Sequence, residues 1–183
     1  MNRSLAQCSS VDWLHWAVVL MSTAVVMESL VGIVLFTIII VPFTLRNPLV
    51  SVGDYPPAIR EKCIELGLVE KRGQRFTRAD FIRKGMALVV FVIAFAFVLK
   101  YFNGADTFRE GFRDSYMIWL IIDWYDALVL DCIWFCHCRR IRIPGTESMK
   151  EYKDYLFHIK QSFIGMILGL PACIAVGMMT AIL

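Results

Sequence analysis

The chain has 183 residues, 58% of them apolar, with 13 Phe, a mean hydropathy of +0.61 and a formal net charge of +3. This is the length of one domain, and apolar residues gathered in long blocks exclude an ordinary soluble protein. Soluble-enzyme signatures are absent as well: the chain has no glycine-rich phosphate loop, no His-Glu zinc motif and no evident Ser-His-Asp arrangement.

The predicted architecture is all-α and polytopic: one membrane domain over 1–183 with four transmembrane helices at about 16–43, 85–102, 116–138 and 163–183. The first block is too long and lacks the basic lead-in of a cleavable signal, so it is expected to stay in the membrane. The cytoplasmic connections are 44–84 and 139–162. In the first, Pro56 and Pro57 suit a helix start, Ile59, Cys63 and Leu66 recur at helical spacing, and Gly67 ends a short amphipathic helix. Thr77-Arg78-Ala79-Asp80 reads as a capping box opening span two, and Lys100 can snorkel at its far end.

Basic residues set the orientation. The stretch from Arg46 to Lys84 carries nine Lys or Arg and that from Arg139 to Lys160 six, whereas the opposite side receives only Arg3, Lys100, Arg109 and Arg113. Fifteen against four places both connections in the cytoplasm and both termini outside, as in an inner (plasma) membrane protein. Orientation alone accounts for these charges, so no nucleic-acid partner is called for. Trp13, Trp16, Tyr116 and Trp119 read as an outer aromatic belt.

Ser148 and Glu151 match a second capping box. A helix from there would carry Met149, Tyr152, Leu156, Ile159 and Phe163 on one face directly into span four. His158, near the membrane boundary of that helix, reads as an interfacial hydrogen-bonding group. Within span four, Gly165, Gly169, Cys173, Gly177 and Ala181 recur every four residues and make a smooth packing strip. Its expected partner is another span of this chain, or a second copy or membrane partner; Pro171 is expected to bend the helix.

The chemistry concentrates in span three. Asp123, Asp126 and Asp131 lie in an otherwise apolar segment, where each Asp facing lipid costs roughly 2.5–3.5 kcal/mol. At about 100° per residue, with Asp123 at zero, Asp126 falls near −60° and Asp131 near +80°. His137 falls near −40°, placing it as a relay toward the cytoplasm. Glu28 lies about 18 Å inside Trp16, and Asp126 and Asp131 lie about 15 and 22 Å inside Tyr116. Glu28, Asp123, Asp126 and Asp131 are therefore expected to form one proton- or cation-binding site. No Lys or Arg lies in the middle of any span, so these acids must be protonated, bind a cation or face water.

A metal and a cofactor are left unassigned. Cys132, Cys136, His137 and Cys138 are the soft-metal candidates, without paired Cys-x-x-Cys motifs. The spacing of the three aspartates resembles the aspartate motif of intramembrane prenyltransferases in part. The last gap is one residue longer, Ile122 stands where Asn is usual, and no second motif occurs. The expected function is proton- or cation-linked transport through the carboxylate-lined interior, in an oligomer in the bilayer. The alternatives are a non-catalytic accessory or assembly subunit, and an Mg2+-dependent membrane enzyme acting on a lipid phosphate.

Overall fold

The computed structural model describes residues 23–70 and 78–183. Helix α1 (Thr23–Arg46) is followed by a 3-10 turn (Pro48–Asp54), α2 (Pro57–Glu65), α3 (Arg78–Asn103) and α4 (Phe108–Tyr125). From α4 the chain continues as a π-helix (Asp126–Trp134) and a 3-10 turn (Phe135–His137). Two further 3-10 turns, Arg139–Ile141 and Lys150–Lys153, lead to α5 (Tyr155–Ile182). Among the described residues there is no strand.

α1 and α5 are long and apolar enough to cross a membrane. α3 and α4 qualify together as a third span, bent by 107° between Leu88–Asn103 and Phe108–His137. Side chains such as Ile38 and Ile39 on α1, Val90 on α3 and Ile167 and Leu168 on α5 point away from the protein, as a lipid-facing surface requires.

The boundaries differ from the sequence expectation where side chains cap the helices. α4 begins at Phe108, eight residues before the expected 116, because Thr107 and Glu110 form a reciprocal capping box. Glu110 Oε2 accepts from the Thr107 backbone at 3.0 Å, and Thr107 Oγ1 accepts from the Glu110 backbone at 3.3 Å. Gly104, with φ +69°, supplies the left-handed residue of the tight connection from α3. The Ser148–Glu151 box does not form. Asp154 caps α5 instead, accepting from Phe157 N at 3.0 Å, and Tyr152 sits in a 3-10 turn ahead of the helix. α2 forms as read, with Ile59 and Cys63 buried and Gly67 at φ +69° after its end, although Leu66 is exposed. Trp13, Trp16 and Thr77 lie outside the described residues.

Two apolar clusters and one helix seam organise the rest. Val25, Val92, Ala96, Leu99, Ala105, Ile118 and Val176 close one end of the bundle. At the other end Tyr55, Ile59, Cys63, Phe135, Cys136, Ile141, Ile143 and Tyr152 form a base. Hydrogen bonds fix this base: Tyr55 Oη donates to Ile141 O at 2.9 Å, and Ile143 N donates to Tyr152 Oη at 2.9 Å. Tyr152 Oη also meets Thr146 Oγ1 at 2.7 Å, so buried polar atoms of the loop are satisfied inside the cluster.

The seam joins α4 to α5. A Cβ on Gly165 would collide with Asp123, one on Gly169 with the Trp119 indole, and one on Gly177 with Phe112. Opposite, a Cβ on Gly111 would press into Thr180. The strip of Gly165, Gly169, Cys173 and Gly177, expected to pack against another span of this chain or against a second copy or membrane partner, is filled by α4 of the same chain. Trp119 and Tyr116 are drawn into this seam as well, donating to Gly165 O at 3.1 Å and Met166 O at 3.4 Å, and do not form a belt.

Two substitutions test this arrangement. Tyr152→Phe should destabilise the protein by about 1–3 kcal/mol, because Ile143 N loses its only partner in a dry cluster; thermal unfolding in detergent reads the loss, and an unchanged midpoint would contradict it. Gly169→Val should cost about 1–3 kcal/mol by forcing α4 off α5, with a change in Trp fluorescence as the Trp119–Gly165 bond breaks.

Candidate functional site: a carboxylate–histidine cavity

Two of the three aspartates of the third hydrophobic block, Asp126 and Asp131, are brought to one cavity by an unusual winding. In a π-helix the hydrogen bonds link i with i+5, which is the spacing of Asp126 and Asp131. An α-helix would hold the two about 140° apart; π winding brings both to the same side. Asp126 and Asp131 line a cavity of about 460 Å³ beside the base, between the second half of α1, the first 3-10 turn and the start of α5.

Two residues that the sequence did not assign to the site complete it. Asp54, at the end of the 3-10 turn, folds back over the cavity from the connection after α1. His158, from the first turn of α5, is 2% exposed and its Nδ1 lies 3.0 Å from Asp131 Oδ2. The ring stacks edge-on against Phe135 and Phe157, at 5.3 Å from each, which holds its plane. His158 Nε2 is buried without a hydrogen-bond partner. Asp126 makes no hydrogen bond or ion pair with any described residue, and it lies within electrostatic reach of Asp131, Asp123 and Asp54.

Asp54 is open to solvent on its outer side. The cavity wall nevertheless strips water from its carboxyl, and the neighbouring Asp131 adds repulsion, so burial first and like charge second raise its pKa above the ordinary 3.8. A carboxyl raised by the fold favours the folded state when protonated. That stabilisation is present at low pH and is lost as pH rises through the raised value.

The other expected members of the site are dispersed. Asp123 accepts a short hydrogen bond from Ser162 Oγ and faces α5 at Gly165. Glu28 Oε2 accepts from Asn103 Nδ2 at 3.0 Å at the far end of α3. Gly32 abuts Ile122 and Thr37 Oγ1 meets Tyr125 Oη at 3.1 Å, so α1 and α4 run in the same direction and Glu28 is level with the region of Asp114 and Ile118. Asp114, 4% exposed, is held by Arg113 Nε at 2.7 Å and acts electrostatically on Glu28. From Glu28 to Phe36 on the cavity wall is about 12 Å along the helix. Glu28 therefore belongs to a separate polar cluster. The expected depth match fails because α4 starts two turns ahead of Tyr116.

His137 lies outside the cavity, with Nδ1 3.0 Å from Ile133 O and Nε2 3.3 Å from Tyr155 Oη. Cys136 is buried in the base while Cys132 and Cys138 are half-buried. Among the described residues no three His, Cys, Asp or Glu side chains converge as metal ligands, so the candidate set of Cys132, Cys136, His137 and Cys138 is not assembled. No protein-family model, curated protein or solved structure matches the chain.

The position of Asp54 has a measurable consequence. Asp54→Asn should flatten the pH dependence of thermal stability above the ordinary carboxyl value of 3.8, because the loss of stability with rising pH disappears. Thermal midpoints of both proteins across that range read it; parallel curves would show that the carboxyl does not feel the cavity.

Proposed function

We propose that the chain is a four-span membrane protein whose carboxylate–histidine cavity binds a proton or cation and moves it across the bilayer. One observation carries this reading: three carboxylates from two segments, Asp54 from the 3-10 turn and Asp126 and Asp131 from the π-helix, line a cavity, and Asp126 makes no hydrogen bond or ion pair with any described residue. A half-buried carboxylate without a partner, as Asp126 is, carries a desolvation cost unless it binds a proton or a cation, or meets water. Each of those states is a step in coupled transport, and acids within membrane segments mark ion and proton pathways.

The four crossings of this proposal are α1, α3, α4 with its π extension, and α5. The 26 residues of α3 reach about 39 Å, enough for a hydrocarbon core of about 30 Å even when tilted. The basic connections then lie in the cytoplasm with the base and the cavity, and the Glu28–Asn103–Asp114 cluster lies at the opposite end. A translocated ion would meet Glu28 first, pass the Asp123–Ser162 pair and reach the cavity.

Reconstituted in vesicles, the protein should carry proton or cation flux. Asp126→Asn should abolish it, and Glu28→Gln should reduce it without abolishing it. Wild-type flux in Asp126→Asn would remove the cavity from the pathway.

A further inference from the structure

The cavity differs from an inorganic ion site in three respects. Its volume of about 460 Å³ falls in the range of small-molecule pockets, about 300–1,000 Å³, and far exceeds the space around a bare ion. Its wall is aromatic as much as acidic: Phe36, Trp134 and Phe157 share it with Asp126 and Asp131. Ca2+ and Mg2+ demand several oxygens converging at about 2.0–2.6 Å, and no three His, Cys, Asp or Glu side chains converge as ligands among the described residues.

We infer that the ligand of this cavity is an organic cation, an ammonium group bearing an apolar body. This deepens the cation-binding role proposed above and rests on it. The positive centre is balanced by Asp126 and Asp131, neither of which pairs with a Lys or Arg among the described residues. Aromatic faces attract the same centre through their quadrupoles, and attract it more strongly where water is excluded. The apolar body occupies the space lined by Phe36, Trp134 and Phe157. His158 supplies the remaining polar point: with Nδ1–H directed at Asp131, a neutral ring leaves Nε2 as an acceptor. An ammonium group has three N–H donors to offer it.

The test uses the full chain in detergent and benzylammonium as the probe, with ethylbenzene, its uncharged isostere, as the reference. Calorimetry should show saturable binding of the cation at least 10-fold tighter than the isostere. Asp126→Asn and Asp131→Asn should each weaken cation binding about 10-fold or more, and Trp134→Leu should weaken it about 10-fold, with elution profiles confirming that each variant is folded. Equal binding of cation and isostere would overturn the inference, as would unchanged binding in both aspartate variants. No binding of the cation, together with Asp126-dependent proton flux in vesicles, would overturn the organic ligand while the transport reading stands. Absence of both binding and flux would remove the two together.

Discussion

Winding Asp126–Trp134 with i to i+5 hydrogen bonds decides which side chains of the third hydrophobic block share a face, and most of the site depends on that choice. With α-helical winding Asp126 and Asp131 would look toward different neighbours, about 140° apart. With π winding one carboxylate stands open in the cavity and the other meets His158. A π turn is a poorer helix than an α turn and persists only where surrounding structure holds it. Here it is held from below by Phe135 and Cys136, which are locked into the base, and from above by the α4–α5 seam.

The base and the seam do different work. The seam sets the height of α4 against α5: Trp119 fits over Gly169 and Asp123 over Gly165, so neither helix can slide without a clash. That registry brings Ser162 to Asp123, and, four residues earlier along α5 and eight further along the α4–π segment, His158 to Asp131. The base then carries Asp54 to the cavity mouth, because Tyr55, the next residue, is pinned through its hydroxyl to Ile141. The connection after α1 thus becomes part of the site through one tyrosine hydrogen bond.

Much of this was legible in the sequence, and the failures have identifiable causes. The helical blocks, the α2 helix with Ile59 and Cys63, and the glycine strip of α5 follow from periodicity and small-residue spacing. The Thr107–Glu110 capping box was also present in the chain and, once recognised, would have moved the start of α4 to Phe108 and taken Glu28 out of the aspartate cluster. By contrast, π winding leaves no mark of its own in the residues between Tyr125 and Phe135, since no Pro or Gly interrupts them. His158 and Asp54 were missed for a related reason. Their roles come from where tertiary packing turns them, and a lone histidine or aspartate near a membrane boundary carries no signal of that.

The countercharge problem also changes form. The acids do have partners in this chain: Asn103 for Glu28, Arg113 for Asp114, Ser162 for Asp123 and His158 for Asp131. Among the described residues Asp126 and Asp54 stand at the cavity without a hydrogen bond or ion pair, so the missing positive charge is localised to that cavity. Cysteine accessibility tests that placement most directly, in a chain whose native cysteines are replaced. A charged, water-soluble thiosulfonate should react readily with Asp126→Cys and Asp131→Cys, and slowly with Leu128→Cys and Ile133→Cys, whose native side chains point outward at 46% and 65% exposure. Fast labelling at both aspartate positions is the result that π winding around a hydrated cavity predicts; reaction at only one of them would contradict it.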